Sequence, residues 1–244
     1  MSTHNDGGAV ILLSGGLDST TCMAIAAEEH DKLYAVGFRY GQKHAAELTH
    51  TLLVADYFGA AYKIISLPEI FGGTESVLVA ANELPMPQMS YEDINESYGV
   101  SPTYVPFRNA NLLSMATTYA LTVDAEWVYA GMHGEDALNW AYPDCTPEFL
   151  GAMANAIYVG SYHKVRLVTP LMHDRKADVV RRALELDAPI ELTMSCYEGT
   201  EPACGVCPTC VGRIKAFIQN NAVDPIKYAI EIDWGGGMIT EEHT

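Results

Sequence analysis

The feature that most constrains the fold is a five-residue apolar run, residues 9–13 (AVILL), that ends in Ser14, Gly15 and Gly16. An unbroken apolar run of this length is typical of a strand buried on both faces of a parallel sheet. The residues that follow, 18–28, predict a helix. The glycines therefore lie between the carboxyl end of a strand and the first turn of a helix, where parallel sheets bind their ligands.

The alternation of strand and helix continues along the chain. Further strands are predicted at 32–38, 62–66 and 127–130, and further helices at 45–57, 109–123, 147–158, 176–186 and 212–220. Such alternation requires right-handed crossovers, so we expect an α/β fold with a doubly wound, mostly parallel sheet. Between 71 and 103 the periodicity fades, and a segment of this length predicts a functional loop or lid that is mobile without ligand.

The length of 244 residues and the hydrophobic content of 49% suffice for one large core with a small appendage. We predict an α/β domain over 1–190 and a C-terminal subregion over 191–244, with a frayed tail around Gly235, Gly236 and Gly237. No apolar run approaches the roughly 20 residues of a membrane helix, and the first residues lack the pattern of a secretory signal. We therefore expect a soluble, cytoplasmic protein.

The formal charge is −17, from 31 acidic and 14 basic residues. A field of this sign repels tRNA and DNA unless a local basic patch intervenes, and the basic stretches here are short. The composition favours a small-molecule substrate and no nucleic-acid partner. A surface that is simply soluble, or adapted to salt, would carry the same charge.

Residues 14–20 (SGGLDST) predict a phosphate-binding loop. Gly15 and Gly16 let the backbone approach a phosphate closely, and the free N–H groups at the helix start stabilise an anion. The segment is neither a Walker A loop nor a dinucleotide fingerprint, because it lacks the lysine of the first and the glycine spacing of the second. The alternative is a plain glycine turn with a serine or aspartate as helix cap.

The side chains of this loop support the phosphate interpretation. Ser14, Ser19 and Thr20 offer hydroxyl donors. Asp18 alone would repel a phosphate, so its carboxylate makes best sense beside a Mg²⁺ ion carried on the phosphates.

Four cysteines lie within fifteen residues with the spacing C-x7-C-x2-C-x2-C, at Cys196, Cys204, Cys207 and Cys210. In a cytosolic protein this spacing predicts a closed, structural Zn²⁺ site, while an iron–sulfur cluster and simple buried thiols are the alternatives. The two remaining cysteines stand apart. We expect Cys22 in the core and Cys145 at a pocket.

The pattern SGGxDS resembles the pyrophosphate loop of the N-type ATP pyrophosphatases. These enzymes transfer AMP to a substrate oxygen and release pyrophosphate, so the resemblance implies a fold of the adenine nucleotide alpha hydrolase type, similar to a Rossmann fold. It also implies an ATP site with Mg²⁺. The residues of that site would be Leu13, Ser14, Gly15, Gly16, Leu17, Asp18, Ser19, Thr20, Thr21, Cys22 and Met23.

The remaining motifs are similar to those of one family, the 7-cyano-7-deazaguanine synthases. With SGGLDSTTC and CGVCPTC, they cover residues 9–220 and comprise TYVPFRN (103–109), YPDCTPEF (142–149), TPLMHDRKADVV (169–180) and TMSCYEG (193–199). The resemblance implies that 7-carboxy-7-deazaguanine, ammonia and ATP give a nitrile on the route to queuosine. It further implies a homodimer and two adenylations, first of the acid and then of the amide.

The resemblance also assigns roles to individual residues. Those with an implied catalytic role are Asp18, Ser19, Arg108 and Lys176. Those with an implied substrate-binding role are Arg108, Asn109, His133, Asp136, Tyr142, Asp144 and Glu148. Each group has a structural alternative. Arg108 and Lys176 would be exposed helix-end cations, and Tyr142 would lie in a packed turn. Asp144 and Glu148 would be helix-capping or first-turn carboxylates, and His133 a structural histidine.

Two departures from the family pattern bear on the product. Phe107 stands where the family commonly has glycine, and 131–140 (GMHGEDALNW) differs from the common strand-end segment. An altered pocket could yield another deazaguanine derivative, such as the amide. Two further functions stay open: an enzyme that adenylates a tRNA base for sulfur transfer, which predicts a basic face, and a nucleotide-binding or zinc-ribbon module without turnover.

Overall fold

The computed structural model describes residues 7–42, 46–67, 70–79, 85–88, 93 and 101–235. It contains a five-stranded sheet in the order β3-β2-β1-β4-β5, and every neighbouring pair of strands is parallel. The strands are β1 (Gly8–Leu12), β2 (Leu33–Arg39), β3 (Ala61–Ser66), β4 (Ala125–Tyr129) and β5 (Arg166–Val168). The prediction of a doubly wound parallel sheet is confirmed.

The described ranges contain six α-helices. They are α1 (Leu17–Glu29), α2 (Ala46–Tyr57), α3 (Arg108–Thr122), α4 (Pro147–Gly160), α5 (Lys176–Glu185) and α6 (Pro208–Gln219). None of these helices is long and apolar enough to cross a membrane. Three short 3₁₀ helices connect them, at Gly134–Trp140, Pro143–Cys145 and Ile190–Leu192.

Two elements differ from the sequence prediction. Strand β5 was not predicted, because three residues at a sheet edge are too few to show a periodicity. The last helix begins at Pro208, four residues before the predicted start at 212. The prediction took the cysteine, glycine and proline residues for a loop, whereas proline in the first turn starts a helix without losing a hydrogen bond.

Strand β1 is buried on both faces, which explains its unbroken apolar run. Val10 and Leu12 face one side and pack in a cluster with Leu113 of α3 and Leu150 of α4. Ile11 lies in the other core cluster, with residues of α1, α2 and α5, and therefore faces the other side of the sheet. The alternation of side chains along a strand thus gives both layers of the core an apolar contribution from the same segment.

The C-terminal helix α6 packs directly on the α/β layers. Ala216 and Phe217 of α6 share a buried cluster with Leu17 of α1 and with Val180 and Ala183 of α5. The four-cysteine subregion therefore lies against the start of α1. The proposed division near residue 190 stays a prediction, and the tail from residue 236 lies outside the described residues.

The predicted loop at 71–103 is described in part, and residues 80–84, 89–92 and 94–100 lie outside the described ranges. The described part is anchored: Phe71 and Val79 are buried against Val105, and Val79 forms a single antiparallel bridge with Gln42. The predicted mobility of this segment stays a prediction.

Gly131, just after β4, touches the first turn of α1. A Cβ atom placed on Gly131 would lie 2.8 Å from the carbonyl oxygen of Asp18 and 3.2 Å from the Cα of Ser19. Both neighbours are backbone atoms, so neither can move without displacing the start of the helix. Glycine is therefore required here for close packing.

Because the sequence predicts an ATP site at this helix start, we expect Gly131→Ala to displace the first turn of α1 and to lower kcat/KM for ATP by about 10-fold to 100-fold, since small misplacements of binding groups are costly. Gly151→Ala is the matched control, since nothing lies within 4 Å of a Cβ placed on this helical glycine. The control should stabilise α4 by about 0.5 to 1 kcal/mol and leave kcat/KM unchanged. Steady-state kinetics and thermal melts of both variants check this, and equal kinetics in the two would contradict it.

Candidate active site

The sheet changes its winding direction between β1 and β4. From β1 the chain proceeds outward through β2 to β3, whereas β4 lies on the other side of β1 and is followed outward by β5. The segments that follow β1 and β4 diverge at this point, and such a switch point is where open α/β sheets bind ligands. A cavity of about 1000 Å³ opens here, a volume at the upper end of small-molecule sites.

Most of the predicted site residues line this one cavity. The lining includes Leu13, Ser14, Gly16, Asp18, Ser19, Arg108, Asn109, His133, Asp136, Tyr142 and Lys176. Cys145, which the sequence suggested as a pocket residue, lines it as well. The structure thus brings together residues that are up to 163 positions apart, as Leu13 and Lys176 are.

The other predicted residues lie outside the cavity lining. Thr20, Thr21, Cys22 and Met23 are buried in α1, and Cys22 and Met23 belong to the core cluster beneath the sheet. Burial raises the pKa of the Cys22 thiol, which is therefore neutral.

The loop after β1 has the backbone geometry that its glycines predict. Gly15 has a φ of +78°, in the left-handed region that favours glycine. Gly16 is the N-cap of α1 and provides no side chain to cap it. The alternative, a serine or aspartate as the N-cap, is absent at that position. Gly16, Asp18 and Ser19 at the start of the helix line the cavity, which is where an anion site at a helix N-terminus would lie.

Two serine hydroxyls hold the loop in shape. The Oγ atoms of Ser14 and Ser19 are 3.1 Å apart, and the N–H of Ser14 donates to Ser19 Oγ at 3.2 Å. Ser19 Oγ also donates to the carbonyl of Gly16 at 3.0 Å. The loop is therefore closed across the strand–helix junction by its own side chains.

Asp18 and Lys176 form an ion pair inside the cavity. The Nζ of Lys176, the first residue of α5, lies 2.5 Å and 2.6 Å from the two carboxylate oxygens of Asp18. His133 Nε2 lies 3.8 Å from Asp18 Oδ2 and 3.5 Å from Asp136 Oδ1. Burial acts to raise the pKa of Asp18, but the ammonium of Lys176 and the imidazole of His133 outweigh it and hold this pKa below its ordinary value. Asp18 is an ionised carboxylate in the loop at 14–20, at the start of α1.

Arg108, the first residue of α3, extends into the same cavity without a carboxylate partner. Its Nη1 lies 3.5 Å from the hydroxyl of Tyr40, and its Nε lies 3.3 Å from Oδ1 of Asn109. Within the described part of the chain, no carboxylate oxygen comes within 4.0 Å of its nitrogens. Burial acts to lower the pKa of Arg108, but nearby groups, Tyr40 first, raise it above the ordinary value. Arg108 is a charged guanidinium available to an anion.

Asp144 and Glu148 occupy structural positions. Asp144 is buried, and its Oδ2 accepts a hydrogen bond of 3.0 Å from the backbone N–H of Asn109 in the first turn of α3. The amide nitrogen of Asn109 in turn donates to the carbonyl of Asp144 and to the Sγ of Cys145, both at 3.2 Å. Glu148 is exposed in the first turn of α4. Neither carboxylate lines the cavity, so the geometry agrees with the capping alternative for Asp144 and a first-turn carboxylate for Glu148.

Phe107, the departure from the family pattern, precedes α3 as its N-cap. Its φ of 55° and ψ of 24° lie in the left-handed region, which accounts for the glycine that the family commonly has there. For a phenylalanine this conformation costs about 1 kcal/mol or more. The ring packs edge-on against Phe149, with centroids 5.9 Å apart, and remains more than half exposed.

The four cysteines meet in one small cluster. Their Sγ atoms all lie within 4.8 Å of one another, and the Sγ atoms of Cys204 and Cys210 are 3.9 Å apart. Four thiolates around a single tetrahedral ion with bonds of about 2.3 Å are separated by about 3.8 Å. Backbone N–H groups of Cys204 and Cys207 donate to neighbouring sulfurs, as the outer hydrogen bonds of a metal site do. The donor set therefore fits a metal ion.

A buried ion pair near this cluster was missed in the sequence. Arg213 of α6 and Asp224 are 1% and 0% exposed, and the Nε of Arg213 lies 2.6 Å from Asp224 Oδ2. The sequence has one signal for its burial: Arg213 stands three positions before the apolar pair Ala216 and Phe217, and so on the same face of the helix. Ser195, inside a quoted motif, was not assigned a role either, and it lines the cavity.

Comparison with known proteins agrees with the motifs. Residues 8–221 match the family described as Queuosine biosynthesis protein QueC. A protein of Caldicellulosiruptor bescii named 7-cyano-7-deazaguanine synthase is 38% identical over 226 residues, covering 93% of this chain and 99% of that one. A protein of the same name from Oceanobacillus iheyensis is 40% identical over 225 residues, covering 90% and 97%.

Solved structures support the fold. The chain is similar to the U34-tRNA thiolase NcsA from Methanococcus maripaludis with its [4Fe-4S] cluster, at a TM-score of 0.51 and 15% identity, covering 80% of this chain and 61% of that one. A 4-thiouridine synthetase in an RNA complex with bound ATP gives a TM-score of 0.50 and 17% identity, covering 87% and 50%. At these identities the likeness concerns the fold alone. With the family match over residues 8–221 and relatives of nearly equal length, this chain belongs to the QueC family.

Proposed function

We propose that this protein converts 7-carboxy-7-deazaguanine, ammonia and ATP into 7-cyano-7-deazaguanine. The observation that supports this most directly is one cavity that contains a phosphate loop, an ionised Asp18 paired with Lys176, and a separate guanidinium of Arg108. These are the groups needed to hold a nucleotide and a carboxylate substrate together. The relatives that carry the synthase name span nearly the whole chain.

The chemistry requires two activations of the same carbon. A carboxylate oxygen of the acid attacks the α-phosphorus of ATP, and pyrophosphate leaves. Ammonia then attacks the carbonyl carbon of the acyl adenylate, AMP leaves, and the nitrogen loses a proton to give the amide. In the second round the amide oxygen attacks the α-phosphorus of a second ATP, and pyrophosphate leaves. Loss of AMP together with the two protons on nitrogen then forms the nitrile. The cavity must align the reactants and keep water from the adenylates.

The charges of the cavity suit this pair of anionic substrates. Its lining has four acidic and four basic side chains, whereas the whole chain has 31 acidic and 14 basic residues. The basic residues are Arg108, Arg175, Lys176 and Lys215. The basic side chains are thus a larger share of the charged residues in the cavity than in the whole chain. A cavity that is less acidic than the protein around it favours binding of a small anion over binding of a nucleic acid.

We assign the phosphates to the loop at 14–20 and to Lys176. With ATP bound as its Mg²⁺ complex, Asp18 would contact the cation, and Lys176 would be free to contact a phosphate oxygen. The ion pair holds both side chains in place, and Lys176 helps to keep the pKa of Asp18 below its ordinary value. This preorganisation is the main way in which an enzyme stabilises charge that moves during phosphoryl transfer.

We assign the carboxylate of the acid to Arg108. The guanidinium is charged, faces the cavity and has no carboxylate of the described chain within ion-pair distance. The residue is held at the start of α3, whose first turn is fixed by the hydrogen bond from Asn109 to Asp144. A rigid, planar donor of this kind suits a planar carboxylate.

We expect Arg108→Gln to raise the KM for 7-carboxy-7-deazaguanine by about 10-fold to 100-fold, because a charge-assisted hydrogen bond contributes about 1.5 to 3 kcal/mol. The KM for ATP should change much less. Arg166→Gln is the matched control, because its guanidinium stacks on Trp127 and Tyr158 at 5.5 Å and 5.3 Å, away from the cavity lining. A KM for the acid that Arg108→Gln leaves unchanged would remove this assignment.

The activity itself is tested by incubating the purified protein with ATP, Mg²⁺, ammonium and 7-carboxy-7-deazaguanine, and by following products with mass spectrometry. The nitrile and two AMP molecules for each nitrile are expected. An amide end-point would identify the related enzyme that stops after one round. AMP formation only with a tRNA substrate would favour the sulfur-transfer alternative, and no AMP at all would favour a binding module.

We further propose that the four cysteines hold Zn²⁺ in a closed, structural site. The sulfurs are grouped closely enough for one ion, whereas a four-iron cluster places each cysteine on a different iron and spreads the sulfurs further apart. A site with four protein ligands has no open position for a substrate, so its role is to fix the fold. The expected homodimer stays a prediction.

A further inference from the structure

Ser195 links the phosphate loop to the four-cysteine subregion. It precedes the first cysteine, Cys196, and lines the active-site cavity. Its neighbour Met194 donates a backbone hydrogen bond of 2.8 Å to the carbonyl of Gly15. The side chain of Ser195 is therefore held at the edge of the loop, by the same short segment that leads into the cysteine cluster.

Arg213 lies directly behind this serine. Two of its guanidinium nitrogens bind the carboxylate of Asp224, at 2.6 Å and 2.8 Å. The third, Nη1, donates to Thr193 Oγ1 at 2.7 Å and to Ser195 Oγ at 3.2 Å. Because the pair with Asp224 is fully buried and bidentate, the direction of Nη1 is fixed toward the serine.

Ser195 Oγ is the acceptor in its hydrogen bonds, so the hydrogen of its hydroxyl is not donated in them. Its Oγ accepts from Arg213 Nη1 and, at 3.4 Å, from the backbone N–H of Leu17, and both of these groups are donors only. A hydroxyl has two acceptor sites and one donor, so both acceptor sites are occupied. Among the residues that the structure describes, none accepts the hydrogen of this hydroxyl. A Cβ placed on Gly16 would lie 3.9 Å from Ser195 Oγ, so the hydroxyl stands beside the loop glycine.

We propose that Ser195 Oγ donates its hydrogen to a phosphate oxygen of the nucleotide held by the loop, and that Arg213 is a positioning residue that orients and polarises this hydroxyl. The proposal rests on the proposed function, because it requires phosphates in the loop. Donation from a buried cation makes a hydroxyl a stronger donor, since hydrogen bonds in a chain polarise one another. Arg213 does not line the cavity, so its charge reaches the phosphate through Ser195.

The test compares ATP binding by the full-length wild type and Ser195→Ala, using calorimetry with Mg²⁺ and ATP in the absence of the acid and ammonia. We expect the Kd for ATP to rise about 10-fold, as the loss of one charge-assisted hydrogen bond predicts. The KM for 7-carboxy-7-deazaguanine should stay within about twofold of wild type. Ser195→Thr keeps the hydroxyl and should restore the Kd to within about threefold of wild type.

Thr193→Val is the structural control. Thr193 shares the same Arg213 nitrogen, but it is buried and does not line the cavity, so its removal should lower the melting temperature without changing the Kd for ATP. Equal Kd values for wild type and Ser195→Ala would overturn the proposal. So would an equal rise in Thr193→Val and Ser195→Ala, since that would mean a purely structural effect. Failure of the wild type to bind ATP would reject the proposed function itself, and this inference with it.

Discussion

Asp18→Asn is expected to lower the rate of AMP release by about 100-fold to 1000-fold while the protein still folds. The carboxylate is ionised at the start of α1, and Lys176 holds it in the cavity with two contacts of 2.5 Å and 2.6 Å. Asparagine keeps the shape of the side chain but removes the negative charge that a Mg²⁺–phosphate complex needs nearby. It also leaves the ammonium of Lys176 without its carboxylate, so Lys176 is less well placed for the phosphates.

The measurement is single-turnover release of AMP, with circular dichroism and a thermal melt to show that the variant is folded. Glu185→Gln is the matched control, because it breaks the pair with Arg181 on the same helix as Lys176. That pair is exposed on both sides, and exposed pairs contribute little to stability. The control should keep the wild-type rate. Normal AMP release by Asp18→Asn would exclude the assigned role of this carboxylate.

Loss of the proposed metal ion is the second change with a large expected effect. Cys207→Ser should lose the bound metal and lower the free energy of unfolding by about 4 kcal/mol, a size typical of losing a structural metal site. Cys207 is buried and is the N-cap of α6, and α6 contributes Ala216 and Phe217 to the cluster shared with α1 and α5. The destabilisation should therefore reach the α/β layers instead of staying at the surface.

ATP binding should weaken in the same variant, because the segment that leads into the cluster contacts the phosphate loop through Met194 and Ser195. Elemental analysis, thermal melts and calorimetry with ATP measure the three effects. Cys22→Ala is the control for losing a thiol, since Cys22 lies in the core of α1 outside the cluster. It should retain one metal ion per chain. Full metal content and an unchanged melt in Cys207→Ser would refute the metal site, and iron in place of zinc would correct its identity.

The fold class and the position of the loop follow from local sequence. Residues 9–13 are apolar on both alternating faces because β1 is buried on both sides, and the switch to helix periodicity after Gly16 marks the strand–helix junction. The cysteine spacing predicted the cluster for a similar reason. Cysteines with two residues between them are close in space wherever the rest of the chain lies. The spacing alone therefore predicts that their sulfur atoms can meet.

Local patterns also predicted which charged residues are candidates, but not the partner of each. Lys176 and Asp18 are 158 positions apart, and their pairing depends on how α5 packs against α1. The same limit applied to Asp144. Its carboxylate was expected to bind the substrate ring, whereas the structure places it at the N–H of Asn109, where it caps α3.

The sequence by itself therefore determined the doubly wound fold, the glycine loop between β1 and α1, and the four-cysteine cluster, since each is encoded by residues that are neighbours along the chain. Only the tertiary structure decided what surrounds them. The contact of Gly131 with Asp18 and the contact of Ser195, which Arg213 holds, with Leu17 of the loop each join residues more than 100 positions apart. Such contacts arise when separate elements pack against one another, and neither periodicity nor spacing records that packing.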